Sequence, residues 1–199
     1  ICALGVALLV WPEWGCDPLT TFEIGLSNVF HVQFGTVALV FEGIMFFVFL
    51  FVRKDLVHLG TLAWCFLIGP FENLWLGILD PILPVASEMG VGLKIVCILL
   101  GSAIIIVTLA YYIPIGLGYQ TSDIFAFIAA DIVKKSYGIG LIISYAILFV
   151  IGVALGSSWG IGTLIAVVAY GPIIDRLMVI FEPFSFAVAG MTKEDKKGK

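Results

Sequence analysis

Long apolar runs follow one another along the chain at nearly regular intervals. Runs at about 35–52, 91–113, 138–156 and 161–181 carry few charged residues. A helix needs about 20 apolar residues to cross the hydrocarbon core of a bilayer, and each run meets or approaches that length. A shorter apolar run, 1–11, opens the chain. The pattern therefore predicts helices that span a membrane.

Two shorter segments, at about 18–30 and 121–133, mix apolar residues with polar ones. Each follows an apolar run and precedes the next one. A helix of this length is too short to cross a membrane. We expect both segments to lie at the interface or to enter the membrane part-way as re-entrant helices.

One stretch of the chain occurs twice in related form. Residues 58–73 read HLGTLAWCFLIGPFEN and residues 160–175 read GIGTLIAVVAYGPIID, half a chain length apart. Each holds a Gly-Thr pair and then a Gly-Pro pair. Such a repeat in an apolar chain is typical of a duplicated membrane protein, whose site lies where the copies meet. We place the first repeat, which lacks the start of its first helix, at 1–84 and the second at 85–182.

The composition excludes a soluble globule. Of 199 residues, 61% are hydrophobic and 12% are charged, whereas soluble domains average about 25% charged residues. No basic patch interleaved with aromatic residues is present, which argues against a nucleic-acid partner. The four cysteines are scattered without metal or disulfide spacing, and no catalytic motif occurs. We therefore expect a protein that is not an enzyme and that has no cofactor or metal.

Positive charge marks alternate connections between the apolar runs. Arg53-Lys54, Lys134-Lys135 and the tail 183–199 are basic, whereas the connections 12–33 and 80–90 contain no lysine or arginine. The stretch that carries the first Gly-Thr and Gly-Pro pairs is the third span of the first copy, so the positive-inside rule predicts six spans with both termini in the cytoplasm. Three spans per copy is an odd number, so the second copy enters the membrane inverted. The expected fold is an all-α integral membrane protein with six transmembrane helices, arranged as two inverted three-helix repeats, each with a short interfacial or re-entrant helix.

Glu42 is the deepest ionisable residue, near the middle of the run 35–52. An ionisable group inside a membrane is costly and usually has a function. Its counterpart in the second copy is around Tyr145, so the charge is not a by-product of duplication. One interpretation is a group that loads and releases a proton during transport. The other is a protonated carboxyl that only hydrogen-bonds a neighbouring helix.

The two Gly-Pro pairs indicate a second group of candidates. Proline removes a helix hydrogen bond and glycine permits close approach, so the pairs indicate either interrupted helices around a binding site or packing kinks. Polar residues follow each pair, and these either face the site or form ion pairs. Together with Glu42, the candidate residues of a substrate or ion pathway are Gly69, Pro70, Glu72, Asn73, Gly171, Pro172, Asp175 and Arg176.

Two aspartates stand at matching places near the start of the short segments. Asp17 precedes Pro18, and Asp123 is the third residue of the segment 121–133. An aspartate at such a place either caps the helix or attracts a cation. Both interpretations stay open at this point.

Glycine-containing motifs are spread over nearly the whole chain. They are Gly15-Cys16-Asp17-Pro18, Phe34-Gly35-Thr36, Leu59-Gly60-Thr61 with Gly69-Pro70, and Gly160-Ile161-Gly162-Thr163 with Gly171-Pro172-Ile173-Ile174-Asp175. With these motifs the chain resembles the YczE/YyaS/YitT family of bacterial membrane proteins, and the YczE branch in particular. It departs from that family where Pro18-Leu19-Thr20 replaces Pro-Trp-Asp and where Glu72-Asn73 replaces an aspartate region. The resemblance implies a multi-pass transporter of a bacterial or archaeal inner membrane, without identifying its substrate.

These features predict a small secondary transporter, or channel-like carrier, with a site near mid-membrane between the repeats. Two alternatives remain: a substrate-binding membrane subunit of an energised uptake system, and a membrane scaffold or regulator that transports nothing. The expected partners are the lipid bilayer and an unknown small solute. A homodimer would cover part of the helix surface of so small a bundle, although no residue pattern specifies one.

Overall fold

The computed structural model describes residues 1–190, and every regular element in that range is helical. The helices are α1 (Cys2–Val10), α2 (Pro18–Phe30), α3 (Phe34–Val52), α4 (Leu59–Leu79), α5 (Val91–Tyr112), α6 (Thr121–Val133), α7 (Tyr137–Ala154) and α8 (Ile161–Ala189). A turn of 3-10 helix, Ile113–Ile115, follows α5. Of the predicted tail 183–199, residues 191–199 lie outside the described residues and 183–189 belong to α8.

Five helices are long and apolar enough to cross a membrane, namely α3, α4, α5 with the turn that follows it, α7 and α8. This confirms the apolar spans predicted from the pattern, and the chain is an all-α, multi-pass membrane protein. The described part of α1 has 9 residues, and α2 and α6 have 13 each, so these three are shorter than a span. Helix α8 continues through Pro183 to Ala189, beyond the predicted boundary at residue 182.

Helices α1 and α5 lie antiparallel and touch through their glycines. A Cβ atom placed on Gly101 would lie 2.7 Å from the carbonyl oxygen of Gly5, so the two backbones meet with no side chain between them. Near the start of α5, Lys94 Nζ donates to the carbonyl oxygen of Pro12, beyond the end of α1, at 3.2 Å. Small residues permit this approach in lipid, where helices associate through close packing.

Helix α3 packs on α4, and α7 packs on α8, through matching glycines. A Cβ atom on Gly69 would overlap the carbonyl oxygen of Gly35, and one on Gly171 would overlap that of Gly138. Gly69 and Gly171 belong to the two Gly-Pro pairs. The repeated motif therefore marks the same kind of helix contact in both halves of the chain.

Each half of the chain also docks on the other through its Gly-Thr motif. The N–H of Gly60, at the start of α4, donates to the carbonyl oxygen of Leu117 at 2.9 Å. The N–H of Gly162, at the start of α8, donates to that of Trp14 at 3.2 Å. In both cases the residue after the acceptor is a glycine with positive φ, a conformation that side chains disfavour. The segments that lead into α2 and α6 are thus held by the opposite half.

An ion pair joins the C-terminal ends of α3 and α6. Arg53 Nη1 lies 2.8 Å from Asp131 Oδ2, and Arg53 Nη2 lies 3.0 Å from Asp55 Oδ2. The side-chain hydrogen bond from Arg53 lowers the pKa of Asp55. Arg53 therefore lies at the same end of the bundle as the connection after α6, which carries Lys134-Lys135.

Gly69→Ala should destabilise the bundle, because the added methyl group has no space against the backbone of α3. Overpacking of this kind costs about 1–3 kcal/mol, and thermal unfolding in detergent should show a lower midpoint. Gly77→Ala on the same helix is the matched control, since no atom lies within 4 Å of a Cβ placed on Gly77. Equal midpoints for the two variants would contradict the contact between α3 and α4.

Candidate functional site

A small cavity lies where α1, α2, α3, α4, α5 and α7 meet the start of α6. Its volume is about 30 Å³, which is space for about two water molecules. Four residues with carboxyl side chains line it, and each is 6% exposed or less: Asp17, Glu23, Glu42 and Glu72. No lysine, arginine or histidine is among the described residues that line the cavity. We call this space the acidic cavity.

Glu42 reaches the acidic cavity from α3 and is 1% exposed. Its Oε2 accepts hydrogen bonds from Thr121 Oγ1 at 2.5 Å and from Cys65 Sγ at 3.3 Å. Its Oε1 has no hydrogen-bond partner among residues 1–190. One oxygen is therefore held by α4 and α6, while the other has no partner in the described part of the chain.

Glu72 reaches the acidic cavity from α4, shortly after the first Gly-Pro pair. It is 3% exposed, and its Oε2 lacks a hydrogen-bond partner in the described part of the chain. The sequence prediction that Glu42 and Glu72 belong to one group is consistent with their common cavity. That they bind a ligand stays a prediction.

Asp17 is the N-cap of α2. Its two carboxyl oxygens accept from the Thr20 N–H at 3.1 Å and from Thr20 Oγ1 at 2.7 Å. Pro18 follows as the first residue of the helix, a place where proline is favoured because its missing N–H would have no partner there. Asp17 thus caps the short helix and lines the cavity as well.

Glu23 is a cavity residue that the sequence reasoning missed, because it counted only as a charge in a connection. It lies on α2, is 3% exposed and has no hydrogen-bond partner for Oε1 among the described residues. Glu23 and Thr20 are three residues apart, share a face of α2 and both line the cavity. The sequence carried no signal for this, because it did not mark Thr20 as a cavity residue.

Asp123 has a different environment from the cavity carboxyls. It is fully buried, and Oδ1 accepts from the Tyr137 hydroxyl at 2.7 Å and from Gln120 Nε2 at 3.2 Å. Its Oδ2 accepts from the Tyr112 hydroxyl. Because both oxygens are held, Asp123 tethers α6 to the end of α5 and the start of α7.

The structure distinguishes between the two interpretations of the Gly-Pro pairs, interrupted helices and packing elements. Helices α4 and α8 continue without a break through Pro70 and Pro172, and both prolines are exposed on the outside of the bundle. The glycine of each pair lies inside and makes the helix contact described above. Because each proline faces outward while its glycine makes the helix contact, the pairs act as packing elements.

Asn73 and Asp175 occupy matching positions after the two Gly-Pro pairs, and each side chain accepts a hydrogen bond from a backbone N–H. Asn73 Oδ1 accepts from the Gly35 N–H at 3.2 Å, and Asp175 Oδ1 accepts from the Gly138 N–H at 2.9 Å. These bonds satisfy N–H groups in the first turns of α3 and α7 that have no partner within their own helices. Asn73 and Asp175 thus fix helix ends, and neither lines the acidic cavity.

Arg176 is exposed and does not line the acidic cavity. Its neighbour Asp175 lines a separate groove of about 870 Å³, together with Asp55, His58 and Tyr119. Since Asp55 pairs with Arg53, this groove lies at the end of the bundle that carries the α3–α6 ion pair. The sequence-predicted pathway residues are therefore divided between the cavity, the helix ends and the outer surface.

The sequence matches DUF6198, described as a family of unknown function, over residues 1–179. The chain belongs to this family. No curated protein and no solved structure matches it. The matched region includes every residue of the acidic cavity. It does not link the chain to the YczE/YyaS/YitT family, so that resemblance stays a prediction.

The acidic cavity can take up positive charge. An unpaired carboxylate in a low-dielectric interior is costly, and neighbouring carboxylates add to that cost. No basic side chain among the described lining residues offsets it. Within residues 1–190, no group of three or more His, Cys, Asp or Glu residues is arranged to hold a metal ion. The cavity thus differs from a preformed metal centre.

Thr121→Val should destabilise the protein, because it removes the hydroxyl that donates to Glu42 and leaves a buried carboxyl less satisfied. The expected loss is about 1–3 kcal/mol, measured by thermal unfolding in detergent. Thr36→Val, at an exposed position of α3, is the matched control. In a Glu42→Leu background the effect of Thr121→Val should shrink. If Thr121→Val lowers stability by the same amount in the Glu42→Leu background, the loss does not come from the hydrogen bond between Thr121 and Glu42.

Proposed function

We propose that this protein is a small secondary transporter, or channel-like carrier, whose binding site is the acidic cavity. The observation that carries the proposal is the convergence of four buried carboxyl residues on one internal space, with no basic side chain among the described residues that line it. Ionisable groups inside a membrane protein are costly, and they typically line the pathway of an ion or substrate.

We further propose that the chain forms six spans as two inverted three-helix repeats, in which α1 takes the place that α5 takes in the second repeat. The matched glycine contacts of α3–α4 and α7–α8 support this, as do the reciprocal bonds from Gly60 and Gly162. Each half supplies the same motif to hold the other. An odd number of spans in each half requires the inverted orientation.

The repeat also supports a site between the two halves. In the register that pairs Gly15 with Gly118, residues from both halves line the same small cavity. The pairs are Asp17 with Gln120, Leu19 with Ser122, and Glu42 with Tyr145. Symmetry-related residues can share one small space only if it lies close to the axis that relates them. In these pairs both carboxyl groups, those of Asp17 and Glu42, belong to the first half of the chain. The acidic groups of the site are therefore supplied by that half.

The size of the cavity fits a closed conformation in an alternating-access cycle. Space for about two waters admits no large solute. In inverted-repeat transporters, one repeat rocks against the other around a fixed site. Here the contacts of α2 with α7 and of α1 with α5 join the two repeats, so they form the interface that such a movement would change.

We place the protein in a bacterial or archaeal cytoplasmic membrane, with both termini in the cytoplasm. The YczE resemblance supports the membrane, and the alternating basic connections support the orientation. The bond between Arg53 and Asp131 supports it too, because it brings two of the basic connections to one end of the bundle.

Cysteine labelling tests this orientation. Lys54→Cys and Lys135→Cys should react with an impermeant maleimide in inside-out vesicles, and Glu88→Cys should react in intact cells. All three positions are exposed. The four native cysteines are buried, so their background labelling should be low. Labelling of Lys54→Cys and Lys135→Cys from opposite sides would contradict the inverted topology.

Reconstituted protein tests the transport function. Liposomes that hold the purified protein and an internal pH dye are exposed in turn to small cationic, neutral and anionic solutes, and proton flux is recorded. Glu42→Gln keeps the shape of the side chain but cannot ionise, so it should fold normally and lose pH-dependent transport by at least about tenfold. Exchange of bound solute should survive, since it needs no net proton movement.

Glu88→Gln is the matched control, because Glu88 is exposed in a connection far from the cavity in sequence. It should transport like the unmodified protein. Unchanged pH dependence in Glu42→Gln would rule out the coupling role. Flux that appears only with a co-purified ATPase would favour the uptake-subunit alternative, and no flux in either case would favour a scaffold.

A further inference from the structure

We propose that the acidic cavity binds a small monovalent inorganic cation, and that protons compete with this cation for the carboxyl groups of Glu23, Glu42 and Glu72. The binding site is argued from its geometry. The exchange of cation for protons across the membrane rests on the transport function proposed above and specifies its substrate class.

The first argument for the site comes from three buried carboxyl oxygens that lack a hydrogen-bond partner in the described part of the chain. Glu23 Oε1, Glu42 Oε1 and Glu72 Oε2 have no hydrogen-bond partner among residues 1–190. Their residues are 3%, 1% and 3% exposed, and they reach the cavity from α2, α3 and α4 respectively. Buried polar atoms are nearly always paired, so these three acceptors around one space are places where a proton, a water or a cation would complete the bonding.

The chemistry of the lining selects the kind of cation. The free acceptors are carboxylate oxygens, which suit hard ions rather than the soft metals that thiolates prefer. Divalent ions need several protein oxygens in a close arrangement, and within the described residues no group of three or more His, Cys, Asp or Glu side chains is arranged to hold a metal ion. The ion would therefore be held by one or two of the carboxylates, with water completing its shell, which suits a monovalent charge. The cavity volume of about 30 Å³ leaves room for the ion and a water.

The titratable groups around the cavity are nearly all acidic. Those that line it are Cys2 from α1, Asp17 and Glu23 from α2, Glu42 from α3, Glu72 from α4 and Tyr145 from α7. The described lining residues of α5 and of the start of α6 contain no titratable group. Two further acidic groups lie behind the residues that line the cavity. Cys65 donates a hydrogen bond to Glu42, and Asp123 accepts hydrogen bonds from the hydroxyl groups of two tyrosines. With no fixed cation among these groups, each negative charge needs a proton or a mobile cation.

Competition follows from charge balance. A protonated carboxyl is neutral and binds a cation weakly, so the ion enters as the proton leaves for the aqueous phase. No covalent bond changes and no electron is transferred. Because the same oxygens accept either partner, binding of the cation should release protons, and its affinity should fall as pH falls. A transporter with this site would exchange the two across the membrane.

Two measurements on purified protein in detergent test the site. NaCl, LiCl and KCl are compared at constant ionic strength, with N-methyl-D-glucamine chloride as the balance. At least one of the three should raise the unfolding midpoint by about 2–4 °C. In weakly buffered solution the same salt should release protons, detected by a pH indicator. The apparent affinity should weaken by up to about tenfold per pH unit for each proton displaced.

Glu23→Gln and Glu72→Gln are near-isosteric and should abolish or greatly reduce both signals, whereas Glu13→Gln and Glu88→Gln, outside the cavity, should keep them. If the glutamine variants do not fold, proton release by the unmodified protein still decides. Equal stabilisation by all salts, including N-methyl-D-glucamine, overturns the site, as does stabilisation without proton release.

The liposome experiment separates this inference from the transport function. Cation-dependent proton release without flux would leave the site standing and remove the transport function. Flux of a neutral or anionic solute that no monovalent cation affects would support transport and overturn the cation site. Proton flux driven by a gradient of Na⁺, Li⁺ or K⁺, and lost in Glu72→Gln, would support both.

Discussion

Close backbone approach at glycine is the contact on which the rest of the bundle depends. In lipid, apolar side chains gain little by turning inward, so helices associate through tight packing and hydrogen bonds. Gly69 lies against Gly35, and a matching pair joins α7 to α8. Because Glu42 lies on α3 and Glu72 on α4, the first of these contacts also brings their carboxyl groups to one cavity.

The buried carboxyls of this protein fall into two kinds. Asp123 has hydrogen-bond donors on both oxygens, so its burial stabilises the connection of α6 to its neighbours. Glu23, Glu42 and Glu72 each keep one oxygen without a partner among the described residues, and such a group costs stability. A buried carboxyl that lowers stability and holds no neighbouring helix in place is typical of a site where a ligand or a proton completes the hydrogen bonding.

The helical layout could be predicted well, and the role of the Gly-Pro pairs could not. The apolar runs predicted the membrane-spanning helices, because an apolar run of the right length has few other stable states in a bilayer. The Gly-Pro pairs indicated either interrupted helices or packing kinks, and both prolines lie outside on continuous helices. The motif alone does not say whether a proline faces the interior. Glu23 was overlooked for a similar reason, since its burial depends on the helices that cover α2.

The sequence by itself determined the positions of the apolar helices, the repeated Gly-Thr and Gly-Pro motifs and the basic connections. These are local properties, set by hydrocarbon thickness and by the composition of short segments. Only the tertiary structure decided which carboxyls share a cavity and which have partners. Asp17, Glu42 and Glu72 lie far apart in the chain, and distances of this kind depend on how helices pack. Packing places Glu42 beside the hydroxyl of Thr121 and leaves its other oxygen free, which no spacing along the chain could have shown.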